Sequence, residues 1–206
     1  MKFNAVLLAS GGMDSTVLAY YLLKQGINFI PLFLNYGQHC AQTEYHTLNN
    51  LLPKKVRDNI DTIDISRVYR NSDSRLIKKT DLWNEQVTSE DLYLPYRNLL
   101  FLSVAVAFAQ TRKINQVYAA FINSNHAKEI DCSVEFFKRL ESIFIDFGSV
   151  KIEIPFKELS KTEVAKLGIK LGVPIGKTYS CQINPENPCG ACPNCVDRIE
   201  AFNNLF

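Results

Sequence analysis

Ala5-Val6-Leu7-Leu8-Ala9-Ser10-Gly11-Gly12-Met13-Asp14-Ser15 decides the fold: an apolar run of strand length stops at three small residues, and helical periodicity starts directly after them. Ser10, Gly11 and Gly12 let the chain leave a strand in a tight turn, and the next helix then presents its unpaired N-terminal N–H groups. Those amides and the helix dipole both favour an anion, so the turn reads as a pyrophosphate cradle. Ser15 adds a hydroxyl donor and Asp14 a carboxylate suited to Mg²⁺. A small-residue turn capped by Ser or Asp accounts for many isolated Gly-Gly pairs. Here the strand, turn and helix signals follow one another in the order a phosphate cradle requires. The spelling lacks both the Gly-x-x-x-x-Gly-Lys-Ser/Thr of P-loop kinases and the Gly-x-Gly-x-x-Gly of dinucleotide binders, which excludes those two cradles.

Outward from this stretch, apolar runs with β-branched residues recur at 5–9, 29–34, 60–65, 116–122 and 151–156. Between them, helical periodicity predicts helices over 14–25, 42–52, 96–111, 133–147 and 161–171. The alternation predicts an α/β fold, a Rossmann-like doubly wound parallel sheet of the PP-loop type. Ligands in such sheets sit beyond the carboxyl ends of the strands. The stretch 99–109 is apolar nearly all round and reads as a helix buried against the sheet. Ser160-Lys161-Thr162-Glu163 reads as a capping box opening the helix after it. The polar segment from about Val68 to Leu94, which holds the single Trp83, is expected to be a long mobile loop able to act as a lid.

With 206 residues and 47% hydrophobic content, the chain can bury a substantial core. It fits one nucleotide-binding domain over 1–175 and a small helical appendage over 176–206. The formal charge of +2 comes from interspersed Lys, Arg, Asp and Glu, so no basic stripe points to a nucleic-acid partner. The N-terminal apolar run falls well short of the roughly 18 residues of a membrane span, which predicts a cytoplasmic protein with no membrane partner. Of the six cysteines, Cys40 and Cys132 are isolated, while Cys181, Cys189, Cys192 and Cys195 crowd near the C-terminus with two overlapping Cys-x-x-Cys steps. That spacing suits a tetrahedral structural Zn²⁺ in a reducing compartment, since four thiolates leave no coordination position open for chemistry. An iron–sulfur cluster or a redox pair is the competing use of such thiols.

The Ser-Gly-Gly-x-Asp-Ser loop resembles that of the PP-loop ATP pyrophosphatases, and its pairing with Cys-x7-Cys-x2-Cys-x2-Cys resembles the QueC family of 7-cyano-7-deazaguanine synthases. The likeness extends over Tyr36-Gly37-Gln38, Pro95-Tyr96-Arg97-Asn98, Asp131-Cys132, Ser160-Lys161-Thr162-Glu163, Ser180-Cys181 and Arg198. The resemblance implies an ATP-dependent, adenylate-forming C–N ligase. Its substrate would be 7-carboxy-7-deazaguanine, adenylated, attacked by ammonia to give the amide, then activated by a second ATP and dehydrated to the nitrile. It implies ATP and Mg²⁺ held by Ser10, Gly11, Gly12, Asp14, Ser15, Tyr36 and Gln38, with Asp14, Arg97 and Lys161 as catalytic groups. Substrate contacts would fall on Arg97, Asn98, Asn125 and Asp131, and the assembly would be a homodimer. No stretch resembles a glutaminase domain, so free ammonium is the expected nitrogen source.

The chain departs from the family's pattern on the acceptor side. Tyr-Gly-Gln-Arg-His becomes Tyr36-Gly37-Gln38-His39-Cys40, the glycine of Pro-Gly-Arg-Asn becomes Tyr96, and the Tyr after the first clustered cysteine becomes Gln182. The acid that reads the deazaguanine edge falls on Asn125, with Glu129 and Asp131 nearby to share recognition. A carboxylate only accepts hydrogen bonds, as the N1–H and 2-amino donors of a guanine-like ring require, whereas an amide offers one acceptor and one donor pair. An intact ATP side beside an altered acceptor side also suits a paralogue, such as those of anti-phage operons, that joins the activated deazaguanine to an amine of a protein. His39, Cys40 and His126 would then border the acceptor. A non-catalytic zinc-containing binding module is the reading from another class, and the intact cradle with Lys161 and Arg97 argues against it. A tRNA-modifying ligase is disfavoured by the near-neutral charge and the lack of an RNA-binding domain.

Overall fold

Residues 2–80, 87–122 and 133–205 are described by the computed structural model. The strands β1 (Ala5–Leu8), β2 (Phe29–Asn35), β3 (Asp61–Asp64), β4 (Gln116–Tyr118) and β5 (Lys151–Glu153) form one sheet in the order β3-β2-β1-β4-β5, and every pairing is parallel. Between and after them run α1 (Met13–Lys24), α2 (Ala41–Leu51), α3 (Lys54–Arg57), α4 (Ser66–Tyr69), α5 (Arg97–Thr111), α6 (Val134–Gly148), α7 (Lys161–Lys170) and α8 (Pro193–Asn203). Parallel neighbours need crossover connections, and crossovers of one hand put helices on both faces. One face carries α1, α2, α3 and α7 over a core that includes Leu7, Val17, Leu22, Phe33 and Phe156; the other carries α5 and α6 over Val6, Leu32, Leu102, Val117 and Leu140. This is the doubly wound arrangement that the alternation of runs predicts.

Strands β4 and β5 are shorter than the apolar runs that announce them. On this side of the sheet the parallel ladder ends close to the end of β1: the last β4 residue, Tyr118, pairs with Leu7, and β1 stops at Leu8, while on the other side β2 runs on to Asn35 beside β3. Residues 119–122 and 154–156 leave the sheet while staying apolar, and Phe156 packs into the core. Helix α5 is the C-terminal part of an apolar stretch, Glu90–Thr111, long enough by composition to cross a membrane. Its faces are spent on protein, because Leu102, Ala105, Val106 and Ala109 are buried and the helix packs on β1, β4 and α6. The capping box at Ser160 forms as read: Ser160 Oγ accepts from Glu163 N–H, and the Glu163 carboxylate accepts from Ser160 N–H at 2.7 Å.

The segment read as a long loop is anchored where it is described. A 3₁₀ turn spans Glu90–Leu92. Leu76, Leu92 and Leu94 are buried with Tyr36, Cys40, Tyr69, Tyr179 and the clustered cysteines in a third apolar cluster. Leu76 C=O also accepts from His39 N–H at 3.1 Å. Trp83 lies outside the described residues.

Candidate active site

The first helix has no side-chain cap. Gly12 takes the N-cap position with extended backbone and contributes no hydrogen bond from a side chain, so the first amides of α1 keep their donors for another acceptor. Within the loop, Ser10 N–H donates to Ser15 Oγ at 3.2 Å and Gly12 N–H to Ser10 Oγ at 3.3 Å. The two hydroxyls themselves stand 3.3 Å apart. These contacts hold the loop in shape and leave the first turn of α1, Met13 to Ser15, as its donor surface.

The adjacent glycines do different work. Gly11 sits at φ +73°, and a Cβ there would lie 2.4 Å from Glu44 C=O and 2.8 Å from Leu48 N, both backbone atoms of α2. It is the point at which the loop passes under α2. Gly12, by contrast, borders a cavity of about 240 Å³ together with Ser10, Asp14 and Ser15. That cavity opens beyond the carboxyl ends of β1, β2 and β4, at the place where strand order reverses between β1 and β4, as the ligand site of a doubly wound sheet does.

Asp14, which borders the cavity, meets Lys161. Lys161 is the first residue of α7, and its Nζ donates to Asp14 Oδ2 at 2.5 Å, with both side chains about one-fifth exposed. Asp14 Oδ1 is buried with no partner among the described residues. An orphaned carboxylate oxygen of this kind is costly unless something positive meets it. Together with the uncapped helix, it fits an Mg²⁺-bound phosphate chain.

The opposite wall comes from the turn after β2. Gln38 is buried, and its side chain is fully engaged: Oε1 accepts from Tyr36 N–H at 2.9 Å, while Nε2 donates to Leu34 C=O at 3.3 Å and to Glu44 Oε2 at 3.1 Å. Gln38 therefore shapes the wall through its neighbours. Tyr36 is buried against Phe101 of α5, with ring centroids 5.1 Å apart, and burial raises its phenol far above the ordinary value. Glu44, on the first turn of α2, also borders the cavity; burial pushes its carboxyl up to about 7, against the lowering effects of the Gln38 hydrogen bond and the Arg97 charge. Sequence reading passed over Glu44, because an acidic residue in a helix's first turn normally signals only a favourable dipole.

Arg97 and Asn98 open α5 and both border the cavity. The preceding Tyr96 adopts φ 54°, the left-handed region, which explains why the resembling pattern carries glycine there. Its side chain is exposed, so the tyrosine keeps this conformation without any burial in return. Asn125, Asp131, His126, Glu129 and Cys132 lie outside the described residues.

The sulfurs of Cys181, Cys189, Cys192 and Cys195 all lie within 4.8 Å of one another. A tetrahedral Zn²⁺ with bonds of about 2.3 Å needs sulfurs slightly under 4 Å apart, so this cluster fits that ion with a small contraction. Cys181 Sγ accepts from the N–H groups of Ile183, Asn184 and Cys189 at 3.5, 3.3 and 3.4 Å. Hydrogen bonds from the thiols of Cys192 and Cys195, followed by those amides, hold the Cys181 thiol well below its ordinary value. The cluster is tied to the first loop: Tyr179 N–H donates to Gly11 C=O at 3.2 Å, and His39 Nε2 meets Ile183 C=O at 2.9 Å. Arg198 of α8 locks the same region from behind, donating to Ile175 C=O at 2.8 Å and Thr178 Oγ1 at 2.5 Å while lying over the Phe202 ring.

Comparison with known proteins agrees with this geometry. The family described as "Queuosine biosynthesis protein QueC" matches residues 4–206. A 7-cyano-7-deazaguanine synthase of Campylobacter hominis is 33% identical over 97% of this chain and 94% of its own length. The enzyme of the same name from Nitratiruptor sp. is 32% identical over 97% and 93%. Among solved structures, a 4-thiouridine synthetase–RNA complex with bound ATP superposes with a TM-score of 0.53 at 19% identity, covering 97% of this chain and 53% of that one, which is a likeness of fold.

Proposed function

From the premise that the chain belongs to the QueC family of queuosine biosynthesis proteins, we propose that it is an ATP-dependent, adenylate-forming ligase that makes 7-cyano-7-deazaguanine from 7-carboxy-7-deazaguanine and ammonia. The observation that carries the reading is the buried Asp14 Oδ1, without a partner among the described residues, on the side chain that pairs with Lys161, beside the uncapped start of α1 at a cavity at the switch point of the sheet.

A carboxylate is a poor acyl donor because oxide is a poor leaving group. Joining its oxygen to the α-phosphorus of ATP, with loss of pyrophosphate, supplies a leaving group in AMP. Ammonia then attacks the acyl carbon, AMP departs and the carboxamide forms. In the second round the amide oxygen takes AMP from another ATP, and loss of that oxygen with AMP and of the two nitrogen-bound protons leaves the nitrile.

The chain's own groups act by position and charge, and none needs to become covalently bonded. The first-turn amides of α1 and the hydroxyls of Ser10 and Ser15 receive the β- and γ-phosphates. Asp14 would hold Mg²⁺, which when bound neutralises phosphate charge and stabilises the departing pyrophosphate. Lys161 then turns from the Asp14 carboxylate toward the α-phosphate, and Arg97 stabilises charge from the α5 side. Tyr36, braced by Gln38, forms part of the nucleotide wall, while Asn98 faces the substrate side. The four cysteines hold a structural Zn²⁺, consistent with a reducing cytoplasm.

Incubation with ATP, Mg²⁺, ammonium and 7-carboxy-7-deazaguanine tests the reading. It predicts release of AMP and pyrophosphate, with amide and then nitrile seen by mass spectrometry, and D14A abolishing turnover without loss of zinc. A deazaguanine adduct on a protein amine would move the reaction to a different acceptor, and absence of pyrophosphate under all these conditions would refute the ligase reading.

A further inference from the structure

The cysteine loop does more than staple the C-terminal region: it supplies part of the cavity wall. Gln182 follows the ligand-set residue Cys181 and borders the cavity shared by Ser10, Asp14 and Arg97. The backbone around it is clamped on every side. Cys181 Sγ accepts three amides, the Gln182 N–H itself lies against the Cys192 sulfur, Ile183 C=O meets His39, and Tyr179 N–H is bonded to Gly11 C=O.

Within this clamp, the Gln182 side-chain amide is an uncharged polar group left without a bond. It is partly covered and makes no hydrogen bond among the described residues. Several of the other polar side chains in and beside the cavity are occupied, whereas Asp14 Oδ1 and the Arg97 guanidinium are charged groups suited to the metal and phosphates. Gln38 spends its amide on Tyr36, Leu34 and Glu44, Lys161 is paired with Asp14, and Ser10 and Ser15 bond each other.

We propose that Gln182 is a ligand-contacting residue that sets which heterocycle the cavity accepts, its amide pairing with the ring edge of the 7-deazaguanine-type substrate. An amide has one acceptor and two donors, the complement of a lactam edge that offers both N–H and C=O. A side chain carried on a loop fixed by metal-binding sulfurs is preorganised, so little ordering is lost when the ring binds. Removing one partner of such a buried pair leaves the ring's polar edge unsatisfied, which rejects the ligand more strongly than lost packing does. This inference rests on the functional reading above and deepens it.

The test is titration calorimetry of the zinc-loaded chain with 7-carboxy-7-deazaguanine, and separately with a non-hydrolysable ATP analogue, for the wild type, Q182L and Q182E. Melting temperature and zinc content are measured on each. Q182L is expected to bind the deazaguanine at least about tenfold more weakly, the order of loss expected when a substrate's polar edge goes unpaired. Its zinc content, melting temperature and affinity for the ATP analogue should stay as in the wild type. Q182E should fall between, having lost the donor pair and kept acceptors. Equal deazaguanine affinity in wild type and Q182L, or an equal loss for both ligands, would overturn the contact while leaving the ligase reading in place. No deazaguanine binding by the wild type would overturn that reading and this inference together.

Discussion

Substituting alanine at Gly11 and at Gly12 should separate folding from phosphate binding within two adjacent residues. At Gly11 the added Cβ falls 2.4 Å from Glu44 C=O and 2.8 Å from Leu48 N, and neither atom can rotate away because both belong to the backbone of α2. The φ of +73° adds the left-handed penalty, roughly 1–2 kcal/mol for a residue with a Cβ. Forcing α2 outward adds an overpacking cost of about 1–3 kcal/mol. The total of about 2–5 kcal/mol corresponds, at ~2–4 °C per kcal/mol for a chain of this size, to a melting temperature lower by about 4–20 °C. At Gly12 the backbone is extended, and the nearest atom to a Cβ is the hydroxyl of Ser10 at 3.2 Å, which can turn aside. G12A should therefore melt within about 1 kcal/mol of the wild type, the range of substitutions that create no clash. Its methyl stands where the phosphate chain must approach, so the KM for ATP should rise and pyrophosphate release should fall. Urea denaturation with a pyrophosphate-release assay on both variants decides the matter. G11A as stable as the wild type would refute the packing argument, and G12A with an unchanged KM for ATP would refute the placing of the phosphates.

Burial holds the Glu44 carboxyl up to about 7, above its value in an unfolded chain. As pH rises from the ordinary carboxylate range through 7, the unfolded chain releases this proton while the folded chain retains it, so the wild type loses stability over that window. E44Q should therefore gain stability relative to the wild type between pH 4.5 and 8, measured by urea denaturation; a difference that does not change with pH would count against a buried carboxyl. C181S should lose the metal found at one zinc per chain in the wild type, lower the melting temperature and raise the KM for ATP, because Cys181 anchors the loop that bonds Gly11. Full zinc content in C181S, or stoichiometric iron with a brown colour in the wild type, would refute the four-thiolate zinc assignment.

The sheet was readable because its signals are local and agree with each other. Apolar runs mark all five strands, glycines and a capping box mark the helix starts, and the cysteine spacing marks the four-cysteine cluster. Strand ends were less readable, since β4 and β5 stop close to where β1 stops, a fact that belongs to the neighbour and not to their own residues. The short helices α3 and α4 carry too few residues for periodicity to register. In the candidate site, Ser10 to Ser15 and Lys161 announced themselves by spelling. Glu44 did not, and Gln182 stood out only as a departure from the resembling pattern, because what brings both to the cavity is long-range packing: α2 crossing Gly11, and the cysteine loop folding back on the first turn.

The bond from Tyr179 N–H to Gly11 C=O imposes an order of assembly. Synthesis delivers the N-terminal residues first, and contacts between distant parts of a chain form late in folding. The opening strand and turn are therefore made long before the segment that props them from outside. A ribosome-bound or shortened product carries the Ser-Gly-Gly spelling without its backbone support, so competence to consume nucleotide arrives only with the finished molecule.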